Sequence, residues 1–588
     1  MTDSWHTDEA RPWRSGRWSL EVRGDELADL ACDGRIVLRS VRAVVRDRNW
    51  DTATLVVDRV DASDLALTLH VHSAGLGSDL RGVVRAEVRG GRLRVLTDLE
   101  SLTAFPTNRT GLVVLHPPAL AGAPLRVTHP DGGVEASAYP SRISPHQPAF
   151  DISGLAWSHG GLDVAVRFDG DVFEMEDQRN WTDASYKTYS RPLSLPFPYP
   201  LAAGERVVQS IDIEVAGEPA PADADDVTRI RLAEGPALPH IAVSAATAPD
   251  PAPDAPTTAA AVLVELDLAT RNWRAALARA AASGCPLDVR FVLADDAPTR
   301  VRDGALALRG LPVVRVTAFW PTGPAQHVAD LEAIALLREA LHDAGVETDV
   351  VGGVRSHFTE LNREHHRLPR GLDGIVFSST PLFHSLSAAQ LVESLPIQRL
   401  VATQGVELAG GLPVHIGPIS LRPHFNDVAT TAPPMPAHDD LRDGYGPALT
   451  PAADPRQASP ELAAWTVASA AALAVPGVAT LAFFEEWGPR GLRTADGSPL
   501  PALDAVSALA AIAGEPGLRG DSPDGLVWAI GARLGDGDTV LVANLDRALR
   551  TVEVELPGGA TRTVDVAPGA FVVNRIARPE GRRVVGGF

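Results

Sequence analysis

Lysine is almost missing from this chain: of its 53 lysines and arginines, Lys187 alone is a lysine. Cysteine is scarce too. Cys32 and Cys285 are the 2 present, too few and too far apart for a disulfide framework or a cysteine-rich metal centre, and they read as buried bystanders. Positive charge is in deficit, the formal net charge being −21, which removes the basic footprint that nucleic acid or an anionic membrane surface requires. No hydrophobic run is long enough to span a bilayer. The most apolar stretch, Trp465 to Phe484, is broken by Pro476 and Gly477 and reads as a core helix followed by a strand. The opening "MTDSWHTDEARPW" lacks the basic-then-apolar pattern of a signal peptide, so a cytoplasmic protein is expected. A Gly-x-Ser-x-Gly elbow and a phosphate-binding loop are also absent.

What is present is a soluble globular composition, 45% hydrophobic and 22% charged, over 588 residues, enough for about three domains. The Ala/Arg/Pro-rich usage has the bias of a GC-rich bacterial genome. Residues 1–215 carry short alternating runs such as "LALTLHVHS" and "LDVAVRFDGDVF", the period-2 signature of a β-sandwich-like domain. Residues 216–259, ending in "ATAPDPAPDAPTTAAA", read as a Pro/Ala-rich linker with a strand or two embedded in it. From 260 to 516 apolar strands alternate with amphipathic helices. "AVLVELDL", "LDVRFVLA", "VVRVTAFW", "TDVVGGV", "GIVFSST", "VHIGPIS" and "VATLAFFEE" are the clear strands, and "RLVAT" before Gln404 is the candidate for a missing eighth. Repeated strand–helix units predict a (β/α)8 TIM barrel. Residues 517–588 return to strands and form a small C-terminal β-domain.

A barrel of this kind places its site at the C-terminal ends of the strands. There the sequence sets Glu360 and Asn362, in "GGVRSHFTELNREHH", and Glu485 with Glu486, in "LAFFEEWGPRG". Two carboxylates facing one cavity can divide acid and base roles. Glu486 is the weaker of its pair, because neighbours on a strand point to opposite sides. Other strand ends carry groups suited to a polyol: Glu265 and Asp267, Trp320, Phe383 and His384, and Arg422, His424 and Asn426. Metal binding is disfavoured, since His365 and His366 are adjacent and "HVH" at His70 to His72 fits an ordinary sandwich surface. Neither a metal nor a cofactor is expected.

The lone lysine sits in "EMEDQRNWTDASYKTYSR", Glu174 to Arg191. Its density of charged and aromatic residues suggests a loop laid across the barrel mouth, bringing Lys187 near Glu360 and Glu485. An ammonium there could hold an oxyanion, as could Arg179. The bland alternative is that Lys187 pairs with Asp177 or Asp183 and pins the loop.

Several motifs in order resemble the D-apionate lactonases of bacterial apiose catabolism. They are "NRTGLVVLHP" at Asn108, "FEMEDQRNWTDASYKTYSRPL" at Phe173, "FTELNR" at Phe358, "GPISLRPHFN" at Gly417, "DPRQASPELAAWTVAS" at Asp454, and "FFEEWGPRG". The resemblance implies an N-terminal β-domain, a TIM barrel, a C-terminal β-domain and hydrolysis of D-apionolactone to D-apionate. The last motif departs from the family pattern at Glu486 and Pro489, while Glu485 matches. Glu360 and Glu485 are thus the expected catalytic pair, with Lys187, Arg179, Asn362, Asp177, Arg422, Asn426, Trp320 and His384 as substrate-binding candidates. A small sugar lactone is the expected partner. A retaining glycosidase using the same two glutamates is the alternative, and a carbohydrate-binding protein without catalysis is a third reading.

Overall fold

The structure is a computed structural model that describes residues 5, 10–220, 229–450, 452–535 and 537–577. The chain divides into two units, one formed by residues 6–223 with 426–433, the other by 1–5, 224–425 and 434–588.

In the first unit the alternating runs form two antiparallel sheets, of 8 and 9 strands. Along Leu162–Asp169 every second residue (Leu162, Val164, Val166, Phe168) is buried, as a half-buried strand requires. The inner faces of the two sheets meet in one core that includes Leu93, Val95, Leu112, Val114, Phe173, Tyr186, Ile211 and Ile213. The tight hairpin between Ser78–Arg89 and Arg92–Ser101 turns on Gly90 and Gly91, at φ +56° and +82°, a left-handed pair that glycine adopts without strain. His70 and His72 face Asp61 and Asp58 at 2.9 and 2.8 Å and form an ordinary polar sheet surface.

The stretch around Lys187 is not a loop. Phe173–Glu176 and Tyr186–Ser190 are neighbouring strands of the 8-stranded sheet, joined through a 3-10 turn at Gln178–Trp181. Its apolar residues Phe173, Met175 and Tyr186 belong to the sandwich core, so period-2 burial outweighed the polar character of the segment.

In the second unit nine parallel strands form one sheet. Asp349–Val350 and Gly352–His357 are two halves of a single strand interrupted at Val351. The first half pairs with Val313–Phe319 and the second with Ile375–Ser379, which brings the sheet round into an eight-lane barrel. Gly353, at φ +123°, lets the chain pass close to Ile375–Ser379, where a Cβ would meet Val376 O at 2.2 Å. The eighth lane is His240–Ser244, between Val262–Asp267 and Val478–Glu485. It lies inside the segment read as linker, whose residues 221–228 fall outside the described ones. "RLVAT" lies within the helix Ala388–Ala409. The barrel strand was missed because "HIAVS" is short and framed by prolines, while Leu400 and Val401 serve a helix face.

The C-terminal strands form two small sheets with Arg229–Arg231 and Ala233–Ala237, so part of the supposed linker belongs to that β-domain. Residues 578–588 of its expected span lie outside the described residues. The helix Glu461–Leu473, buried on every side from Leu462 to Leu473, packs against the C-terminal strands Val527–Leu534 and Gly537–Asn544.

Candidate active site

Strand periodicity puts Glu265 and Asp267 on one face of Val262–Asp267. Glu265 Oε1 accepts from an Arg355 terminal nitrogen at 2.6 Å. Burial opposes ionisation of Glu265, but the Arg355 guanidinium, helped by His424 and Arg290, holds its carboxyl below the usual range. Asp267 is pushed the other way by burial, which its hydrogen bond from Ala269 N and the charge of Arg355 only partly offset. Its own backbone N–H donates to the Tyr445 hydroxyl at 2.6 Å. Arg355 also lies 3.9 Å over the Phe425 ring, which fixes the loop that follows Val414–Ile419.

On that loop His424 is half-buried, and its Nε2 is buried with no hydrogen-bond partner. Burial lowers its pKa; Glu485 and Glu265 oppose that shift, while Arg490 and Arg355 reinforce it. Arg355 Nε is a second buried polar atom without a partner. Glu485 closes its strand fully buried, at 0% exposure. Its Oε1 accepts from Arg490 Nε and Thr247 Oγ1, both at 2.8 Å, and its Oε2 from Thr247 N at 3.0 Å. Adjacent Glu486 points elsewhere, accepting from Thr257 Oγ1 at 2.6 Å. The barrel mouth therefore gathers Glu265, Asp267, Arg355, His424, Tyr445 and the Glu485–Arg490 pair. Among the described residues no cluster of three or more His, Cys, Asp or Glu is arranged to hold a metal ion, and no helix is long and apolar enough to cross a membrane.

The D-apionate lactonase N-terminal domain family matches residues 1–218, and the D-apionate lactonase TIM barrel domain family matches residues 240–514. The chain belongs to the D-apionate lactonase family. A curated D-apionate lactonase of Brucella anthropi is 29% identical over 565 residues, 86% of this chain and 88% of the relative. Solved structures with weaker likeness include a GH30 endoxylanase of Clostridium papyrosolvens, 9% identical over 59% of this chain and 96% of that one, TM-score 0.37. A GH36 alpha-galactosidase of Geobacillus stearothermophilus is 10% identical over 96% and 99%, TM-score 0.27. At these TM-scores nothing further about the chain rests on them.

Each expected site residue has definite neighbours in this lactonase-family chain. Glu360 stands in the first turn of the helix Phe358–Glu364, and its Oε2 accepts from Ser356 Oγ at 2.7 Å. Asn362 accepts from Gln404 Nε2 at 3.2 Å, towards the helix Ala388–Ala409. Trp320 Nε1 donates to Asp330 at 3.0 Å, Arg422 donates to the Ala453 carbonyl at 3.2 Å, and His384 packs on Phe383 at 4.8 Å. In the sandwich unit Asp177 and Arg179 are buried against each other, with contacts of 2.8 and 2.7 Å. Arg179 also donates to the carbonyls of Pro140 and Arg142, so both groups are engaged in holding that unit together. Asn426 clusters with the same unit, donating to Asn49 O at 3.0 Å. Lys187 pairs with Glu176 at 2.5 Å, its cross-strand neighbour, and not with Asp177 or Asp183.

Arg355, Tyr445, Thr247 and Arg490 were not singled out from the sequence. The alternation Glu265–Asp267 was a visible signal for that strand. Tyr445 and Thr247 lie in irregular segments whose position only the fold supplies.

Proposed function

We propose that this chain hydrolyses D-apionolactone to D-apionate at the mouth of its barrel. The reading is carried by the Brucella anthropi D-apionate lactonase, matched along 86% of the chain. The barrel-mouth geometry supports it. Opening a lactone requires a base to take a proton from water, donors for the carbonyl oxygen as it becomes an anion, and a proton for the departing ring oxygen. His424 Nε2 is the base: its lowered pKa keeps the ring neutral, and no other group occupies that nitrogen. As water oxygen bonds to the carbonyl carbon, its proton moves to Nε2. The charges of Glu485 and Glu265, which act on His424 through space, then favour the imidazolium. Arg355 Nε, also without an acceptor, donates to the oxyanion. Collapse breaks the bond to the ring oxygen, and the imidazolium returns its proton there. Asp267 and Tyr445 face the substrate hydroxyls.

In this reading the acid/base division expected of Glu360 and Glu485 passes to His424, with Glu485 acting through the imidazole. A pH-stat assay of acid release from D-apionolactone tests it, run beside an aryl-glycoside assay for the glycosidase alternative. His424→Gln should lower kcat by about 10²- to 10⁴-fold with little change in thermal midpoint, and Glu360→Gln should keep turnover. Wild-type lactone opening no faster than the spontaneous rate would sink the proposal, as would full activity in His424→Gln.

A further inference from the structure

Left-handed backbone is rare outside glycine, because there the Cβ crowds the neighbouring carbonyl. Among the described residues of the barrel unit, two non-glycines adopt it, His327 at φ +64° and Phe484 at φ +55°. Both stand at the strand ends that form the mouth. Phe484 directly precedes Glu485. The ladder to His240–Ser244 pairs Ala242 with Ala482 and then Ser244 with Glu485, so the strand Val478–Glu485 carries one extra residue there. Such a bulge re-aims the side chain that follows it. The strain at Phe484 is thereby tied to the placing of Glu485, and strain of this kind gathers at functional sites.

His327 lies in the segment that follows Val313–Phe319. Its N–H donates to Trp320 O and its carbonyl accepts from Arg355 N, both at 2.8 Å, so its backbone joins the ends of two neighbouring lanes. Glycine would make the same two bonds without strain, which leaves the imidazole as the reason for a side chain here. The residue is buried, and its ring packs on the Phe425 ring with 5.0 Å between centroids and a tilt of 59°. The Arg355 guanidinium lies 3.9 Å from the centre of the same Phe425 ring. Phe425 is therefore held by two residues that are hydrogen-bonded to each other, and it directly follows His424. A reacting group displaced by about 1 Å loses on the order of 10²-fold in rate, so the seat of Phe425 bears on the chemistry.

We propose that His327 is a positioning residue for lactone opening: its imidazole seats Phe425, and Phe425 in turn sets His424 and the Arg355 guanidinium where attack on the carbonyl requires them. The role rests on the barrel-mouth reading and adds to it a residue that acts only through its neighbours. A ring at this position fills the seat, whereas a short side chain leaves Phe425 free to shift against Arg355.

A double-mutant cycle on the full chain, in the pH-stat assay with D-apionolactone, tests the role. His327→Ala should lower kcat by about tenfold or more while KM changes far less, because misalignment is felt in the transition state. His327→Asn tolerates the left-handed backbone but carries no ring, and should show the same loss even where His327→Ala folds poorly. His327→Phe restores a ring on Phe425 and should recover most of that loss. In the His424→Gln background, His327→Ala should cost at least about threefold less than in the wild type, since the base it aligns is gone. A smaller folded fraction would cost the same in both backgrounds. Full kcat in His327→Ala and His327→Asn, no recovery in His327→Phe, or equal costs in the two backgrounds would overturn the role alone. Full activity in His424→Gln would overturn the barrel-mouth reading and the role with it, so the two failures are told apart.

Discussion

At the scale of single residues, the barrel mouth is organised by which charges are spent and which are not. Glu485 has both oxygens engaged and no exposed surface, so in the proposed mechanism it acts on the substrate through His424. In the proposed mechanism neutral His424 is the active form, which places the acid limb of kcat/KM at its pKa. Burial depresses that pKa below the ordinary histidine value and Glu485 pushes it back up. Removing the Glu485 charge therefore lowers it further. Glu485→Gln should move the acid limb to lower pH while reducing kcat, because the imidazolium formed during attack loses support. A pH–rate profile of the variant with its limb unmoved would remove Glu485 from this role. Simple loss of packing would lower activity at all pH values without shifting the limb.

At the scale of elements, side chains expected at the site also fix secondary structure. Asp330 caps the helix Leu331–Ala344 by accepting from Ala333 N at 3.0 Å, and the same oxygen accepts from Trp320 Nε1. Trp320 is thereby tied to a helix start. Asp330→Ala should cost about 1 kcal/mol or more of stability, the ordinary loss for an N-cap, and should change Trp320 fluorescence without altering KM. The Glu485 hydrogen bonds play a similar part between strands, joining the end of Val478–Glu485 to Thr247, just beyond His240–Ser244. In the sandwich, Lys187 and Glu176 are opposed in register on adjacent strands, so their pairing follows from the antiparallel ladder itself.

At the scale of the molecule, the barrel unit depends on its C-terminal strands. The helix Glu461–Leu473 is apolar on every side and fully covered, which a helix on the rim of a self-sufficient barrel would not be. Part of its cover comes from Val527–Leu534 and Gly537–Asn544, and the C-terminal sheets are completed by Arg229–Arg231 and Ala233–Ala237, upstream of the first barrel strand. A chain truncated after Gly514 would expose that helix and leave those two strands without partners. It should accumulate in the insoluble fraction on expression, while the full chain stays in solution; a soluble truncation with native circular dichroism would show the barrel to be self-sufficient.

The sequence by itself determined the strand-rich sandwich, the parallel barrel, the family and the strand ends where chemistry gathers. Each of these rests on a local signal: period-2 alternation in "LDVAVRF", the strand–helix rhythm after Ala260, motifs kept in order, and charged residues directly following apolar strands. The tertiary structure decided what those signals could not reach. It put "HIAVS" into the barrel, because a five-residue strand (His240–Ser244) is recognised only by the neighbours it pairs with. It gave Glu485 to Arg490 and Thr247, joined Glu265 to Arg355, and left His424 Nε2 without a partner. Partners separated by scores of residues leave no trace in spacing, and burial, which sets the protonation of His424 and Asp267, exists only once the chain has folded.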